Sequence, residues 1–171
     1  MINSFANLTN LLTILLNSIL FILPAYFANA SPVIWAKLLG KHNLPIDFNK
    51  TWNGKPIFGQ GKTWGGFVGG VLTGTFVGLL QSRLLAGFLL SFGALLGDLV
   101  GSFIKRRLGL ARGQALPGLD QLGFVVFAVL FCALVEKPSI PMLITIFVLT
   151  PLAHFGTNVL AYILHLKKEW Y

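Results

Sequence analysis

The sequence predicts an all-α integral membrane protein: about five transmembrane helices, with one long and one short loop on one side of the membrane forming the site. Three observations predict it. The chain of 171 residues is 55% hydrophobic and 11% charged, whereas a soluble globular domain carries about 25% charged residues; its mean hydropathy is +0.77. Asp, Glu, Lys and Arg are absent from 1–36, 63–82, 84–97, 121–135 and 138–166. About 20 mostly apolar residues span the hydrocarbon core, so these runs give spans near 5–29, 64–82, 84–105, 119–136 and 138–163. Finally, the basic residues fall on one side. With an external N-terminus and five spans, 11 of the 13 bases lie in 30–63, at 105–118 or in the tail with Lys167 and Lys168. Only Arg83 and Lys137 fall outside. The positive-inside rule then places the N-terminus outside, and the C-terminus and site in the cytoplasm. The whole chain, 1–171, reads as a single domain.

The first span lacks a basic n-region and leads into polar sequence that the site needs, so it is an anchor rather than a cleaved signal peptide. Residues 30–63 form the long polar segment. Pro32, Pro45, Pro56 and several glycines argue against a regular long helix there, and a loop of this length is expected to order over the site. The second span carries a glycine ladder, Gly66, Gly70, Gly74 and Gly78, with Gly65 and Gly69 beside it. Small residues at that spacing let helices approach closely, within the fold or in a homodimer. Nearest the loop, Gly65 and Gly66 leave room for phosphate at a helix N-terminus. Short turns at 82–83 and 136–138 tie the second span to the third and the fourth to the fifth as antiparallel hairpins. Cys132, the one cysteine, reads as a small buried apolar residue. His154 and His165 make no zinc pattern and read as packing or interface residues.

The third span contains the most informative residue. The chain has five acidic residues, and Asp98 sits inside an apolar run. A carboxylate there costs a few kcal/mol and marks a functional site. Gly101, Ser102 and Lys105 share its helix face, and Asp98 lies about 10 Å inside Lys105 at 1.5 Å per residue. The competing reading is a structural carboxylate bonded to a neighbouring helix or to Lys105. Asp120, on the same membrane side, opens the fourth span; alone it would read as an N-cap. Lys105, Arg106, Arg107 and Arg112 lie between the two acids. Two carboxylates without a thiolate cluster suit magnesium, which takes one or two carboxylates plus substrate phosphates. The stretch G-Q-G-K-T-W-G-G at 59–66 resembles a phosphate loop but is not a Walker A motif, since Pro56 stands where that motif needs glycine. Lys62 and Thr63 nonetheless stand where helix N–H groups favour anions. The bases sit on membrane-flanking loops, which excludes nucleic acid as a partner.

Taken together, K-T-W-G-G-F-V-G-G at 62–70, G-D-L-x-x-S-x-x-K-R at 97–106 and G-x-x-L-P-G at 113–118 followed by L-D resemble CTP-dependent phosphatidate cytidylyltransferases. The short five-helix length, P-A-Y-F-A-N-A-S-P at 24–32 and D-Q-L at 120–122 are closer to the archaeal branch, the CDP-archaeol synthases. The resemblance covers roughly residues 24–125 and is specific in combination. It implies transfer of CMP from CTP to an isoprenoid ether lipid phosphate in the bilayer, with pyrophosphate released. Carried over by position, Asp98 and Asp120 would hold Mg2+ and make up the catalytic set with Lys105. Lys62, Thr63, Lys105 and Arg106 would contact phosphates. The same stretches and basic loops supply the other candidate substrate contacts: Asn29, Lys55, Gly59, Gly65, Gly66, Ser102, Arg107, Arg112 and Gly113. The chain departs from the bacterial pattern at Ala111 and Arg112, where a Lys-Asp pair is usual. It also lacks His-Gly-Gly before L-D and has Gly123 where a further acid is usual. These departures favour one magnesium, or a second ion held mainly by substrate. Two other readings compete: a diacyl-specific cytidylyltransferase, and a small transporter with Asp98 in the ion path. Helices three to five show little polarity towards the outer face, against the transporter.

Overall fold

The computed structural model describes residues 2–166; Lys167 and Lys168 lie outside the described residues. Six helices follow in chain order: α1 (Ile2–Ala30), α2 (Pro32–Leu39), α3 (Trp64–Leu80), α4 (Leu84–Arg107), α5 (Leu119–Cys132) and α6 (Ile140–Ile163). The five expected spans are α1, α3, α4, α5 and α6. Three helical segments are long and apolar enough to cross a membrane: Asn7–His42, which runs on from α1, then α4 and α6; α3 and α5 are shorter apolar helices. At 17 and 14 residues they rise about 25 and 21 Å. The fourth span, α5, ends at Cys132 rather than near 136, and residues 133–135 turn back before Pro138.

Helix α4 is the hub. Leu90, Ala94 and Leu95 on it are buried, and the core is completed by Phe21, Ile22 and Ala25 of α1, Phe124, Val125, Ala128 and Cys132 of α5, and Ile146 of α6. The glycine ladder explains how α3 fits beside it. A Cβ at Gly70 would lie 2.8 Å from the Ala28 carbonyl oxygen of α1 and 2.7 Å from Leu95 Cδ1 of α4. One at Gly74 would collide with Pro24 O and Ser91 Oγ, and one at Gly78 would lie 2.5 Å from Gly87 Cα. The ladder is thus consumed inside one chain, where it lets three helices pack at backbone distance. Cys132 is fully buried, as expected.

Lipid leaves no water to satisfy backbone groups, and Pro24, inside α1, cannot donate to the Leu20 carbonyl one turn back. The Gln81 Nε2 amide donates to Leu20 O at 3.0 Å instead. Tyr26 and Thr150 hydroxyls, 2.9 Å apart, join α1 to α6. His154 packs its ring 6.4 Å from that of Phe124 and pairs with Asn158. At the turn end of the bundle, Arg83 and Glu136 form an ion pair of 2.7 Å.

The segment 30–63 contains no long helix. Pro32 starts α2 at the position where its missing N–H costs nothing, and α2 lies along α3, with the Trp35 indole donating to Thr73 Oγ1 at 3.0 Å. A two-stranded hairpin follows, β1 (Thr51–Trp52) and β2 (Lys55–Pro56), with Trp52 opposite Lys55. Its turn is Asn53-Gly54, with φ of 50° and 72°, the pair that favours a two-residue hairpin turn.

Candidate active site at the loop end of the bundle

Three elements bring four charged side chains together beyond the loop ends of α3, α4 and α5. Asp98 and Lys105 come from α4, Asp120 from the first turn of α5, and Lys62 from the loop entering α3. They form two ion pairs. Lys62 Nζ lies 2.5 Å from Asp98 Oδ2, and Lys105 Nζ lies 2.6 Å from Asp120 Oδ1. Lys105, expected on the Asp98 face, thus serves the other acid, and a lysine from the loop takes its place. Asp120 does not cap α5. It lies inside the first turn, behind Gly118, and its second oxygen accepts from Leu116 N at 2.8 Å, closing the P-G-L turn.

The α4–α5 crossing sets how the two acids stand. A Cβ at Gly97 would lie 2.7 Å from Gly123 O, and one at Gly101 would lie 3.7 Å from Leu119 Cγ. In this antiparallel register Asp98 and Asp120 differ by roughly two residues, or about 3 Å of rise, along the interface.

Two pockets flank the loop 59–62. The larger, about 500 Å³, is lined by Asp47, Asn49, Lys55, Gly59, Gln60, Arg106 and Arg112, with the turn 109–111. The smaller, about 40 Å³, contains Asp98, Lys62, Thr63 and Gly66, with Pro32, Phe67 and Leu95 on its apolar wall. Gly59 and Gln60 face the first pocket, while Gly61, Lys62 and Thr63 face the second. Arg112 closes over this loop; a Cβ at Gly61 would lie 3.3 Å from Arg112 Nε. Basic groups therefore surround the larger pocket, and the Lys62–Asp98 pair lines the smaller one, while Lys105 and Asp120 line neither.

Several sequence-predicted contacts are already engaged within the protein. The N–H groups that open α3 are not free. Trp64 N donates to Leu44 O at 3.0 Å, Gly65 N to Asn43 Oδ1 at 3.0 Å, and Gly66 N to Thr63 Oγ1 at 3.2 Å. Thr63 is an N-cap. A Cβ at Gly65 would strike Leu39, and one at Gly66 would lie 3.3 Å from Pro32 Cβ. These glycines make room for α2 and its following loop, and phosphate at the α3 N-terminus would have to displace both caps. Arg107 is likewise turned towards protein, onto carbonyls of the hairpin. Lys55 donates 2.9 Å to Arg107 O, bonding the last carbonyl of α4 from the rim of the pocket. Asn29 on the last turn of α1, Ser102 buried on α4, and Gly113 in the turn after Arg112 line neither pocket.

Sequence reasoning missed Asp47. It is 5% exposed, and its carboxylate accepts from Asn49 N at 3.0 Å, Phe58 N at 2.9 Å and Gly59 N at 2.8 Å. Burial pushes this carboxyl upward, but the N–H groups of Gly59, Phe58 and Asn49 outweigh that and hold it below its usual range. An acid two residues before Asn in a lysine-rich loop carries the signal of an Asx turn.

Apolar helices, carboxylates held by lysines at one helix end, and a basic pocket beside them define a class: a membrane-embedded enzyme acting on phosphorylated substrates. The CarS-like CDP-archaeol synthase family model matches residues 11–86 and 82–171, and the chain belongs to that family. It is 50% identical over 163 residues to the CDP-archaeol synthase of Thermococcus gammatolerans, covering 88% of this chain and 90% of that one. To the Pyrococcus furiosus CDP-archaeol synthase it is 47% identical over 168 residues, covering 91% and 95%. A solved structure of an intramembrane enzyme for archaeal membrane lipid biosynthesis superposes with a TM-score of 0.71 at 32% identity, covering 85% of this chain and 94% of that one.

Proposed function

We infer that the protein transfers CMP from CTP to the phosphate of an unsaturated archaeal ether lipid, 2,3-di-O-geranylgeranylglyceryl phosphate. The products are CDP-archaeol and pyrophosphate. The observation that carries the site assignment is the pairing of two helix-borne carboxylates with Lys62 and Lys105 beside a pocket rimmed by Lys55, Arg106 and Arg112.

In the reaction, an oxygen of the lipid phosphate attacks the α-phosphorus of CTP. The bond from that phosphorus to the bridging oxygen breaks, and its electrons leave with pyrophosphate. The nucleophile is already anionic, so no general base is required. Arg106 and Arg112 bind the triphosphate in the larger pocket, while Lys62 and Lys105 neutralise charge on the transferring and leaving groups. The apolar wall of Pro32, Phe67 and Leu95 gives the lipid a dry approach to Asp98.

The donor set fits a magnesium ion that arrives with nucleotide. Asp98 and Asp120 supply hard oxygens from two facing helices, and no group of three His, Cys, Asp or Glu occurs among the described residues, so waters and phosphates would complete the shell. Bound there, the ion would neutralise developing charge on the phosphoryl oxygens. In the absence of substrate the two lysines supply that counter-charge. The bias of the bases towards this end of the bundle supports reading it as the cytoplasmic end, with the N-terminus outside.

The test is incubation of purified protein in detergent with labelled CTP, magnesium and the geranylgeranyl ether lipid phosphate, beside a diacyl phosphatidate control. CDP-lipid should form with the ether lipid, vanish on chelation, and be abolished by Asp98→Asn in protein that still elutes as folded. Near wild-type turnover of Asp98→Asn would remove Asp98 from the metal site, and preference for the diacyl lipid would reassign the acceptor.

A further inference from the structure

The backbone of residues 52–59, which carries Lys55 and leads into Gly59–Lys62, is held from both sides. From the end of α4, Arg107 Nη1 donates to Trp52 O at 2.5 Å, and Nη2 donates to Lys55 O at 3.0 Å and Pro56 O at 2.5 Å. The guanidinium carbon also sits 5.4 Å from the Trp52 ring centroid and 5.3 Å from that of Phe103. Those two rings stack on each other at 5.6 Å. Lys55 returns the contact through its bond to Arg107 O. On the other side, Asp47 takes the N–H groups of Phe58 and Gly59. Carbonyls are thus gripped by a cation and amides by an anion, within one short stretch of chain.

We propose that Arg107 is a positioning residue for nucleotide binding, which together with Asp47 clamps residues 52–59 so that Lys55, Gly59 and Gln60 form a fixed wall of the nucleotide pocket. This rests on reading the larger pocket as the nucleotide site. Three geometric facts support it. The planar fork reaches three carbonyls at once, which a lysine ammonium on a flexible stem does not reproduce. The wall so fixed faces Arg106, whose Cδ lies 3.8 Å from the Cβ position at Gly59. And the hairpin has only two residues per strand, too few to order itself in water. Without the clamp, CTP binding would have to bear the entropy of ordering this stretch, which raises KM for CTP and leaves the chemical step alone.

The experiment compares wild type with Arg107→Lys, Arg107→Gln and the pocket variant Arg106→Gln, reading kcat, both KM values and the rate of tryptic cleavage after Lys50. For Arg107→Gln, KM for CTP should rise about tenfold, the scale of one lost hydrogen bond to a charged group. Arg107→Lys should rise by less, with kcat and KM for the lipid within about twofold in both. Cleavage should accelerate without nucleotide and slow again at saturating CTP. If Arg107→Gln does not yield folded protein, Arg107→Lys carries the same test. An unchanged KM for CTP in the Arg107 variants, or equal losses in kcat and in both KM values, overturns the clamp. If Arg106→Gln weakens CTP while the Arg107 variants do not, the clamp alone falls. If neither weakens it, the nucleotide assignment of the pocket falls too.

Discussion

Asp47 shows how a single side chain is spent on order rather than on chemistry. Its three N–H partners stabilise the ionised form, so its folded pKa lies below the ordinary value of 3.8. By linkage, that contribution is fully present above pH 3.8 and is lost as pH falls through the lower folded value. Tryptophan emission should therefore report a rearrangement of the hairpin at acid pH, through Trp52. In Asp47→Asn the rearranged signal should already be present at neutral pH. An acid transition identical in Asp47→Asn and wild type would dissociate the signal from this carboxylate. The same scale separates two uses of arginine. Arg106 and Arg112 line the pocket, while Arg107 is committed to carbonyls. In the sequence all three were candidate substrate contacts, because residue type does not say which arginine turns towards protein.

At the scale of elements, α3 depends on absent side chains. Gly74 meets Pro24 O, Ser91 Oγ and Ala28 Cβ, while Gly156 of α6 has open space around its Cβ position. Gly74→Val should abolish folded protein, judged by size exclusion in detergent, because two helices must separate to admit it. Gly156→Ala should fold as well as wild type or be slightly more stable, given the helix propensity of alanine. Folded, active Gly74→Val would show that the α1–α3–α4 contact is not required. The period-four glycines were legible in the sequence, and so was the choice between ligand and packing roles for most of them. Their partners were not, since one chain or two can supply the opposing helix.

For the whole molecule, the proposed site and the Arg83–Glu136 pair lie at opposite ends of the bundle. The proposed site gathers where the basic loops are, and the far end is tied by Arg83 and Glu136, whose side chains remain 25% and 44% exposed. A partly exposed pair contributes about 1 kcal/mol or less. Glu136→Gln should therefore leave kcat and both KM values within about twofold and lower the melting temperature by only a few degrees. A large loss of turnover in that variant would require coupling through α4 that the geometry does not suggest. The exposed Leu, Ile, Val and Phe side chains along α1, α3, α4, α5 and α6 fit a lipid surround, and their residue types set the membrane class before any contact is known.

The sequence alone determined the membrane class, the number of apolar helices in the bundle and the end of it that carries the basic loops. Those properties follow from composition and periodicity, which act locally along the chain. It also marked Asp98, since an acid in an apolar run is conspicuous wherever the run folds. Tertiary structure decided the pairings. Lys62 reaches Asp98 and Lys105 reaches Asp120 because the α4–α5 crossing and the capped start of α3 bring residues 36 and 15 positions apart within hydrogen-bond distance. It also decided that the α3 N–H groups are satisfied by Asn43 and Thr63, and that Arg107 holds the hairpin. Hydrogen bonds are directional and short, so which groups meet depends on the packed backbone rather than on residue type.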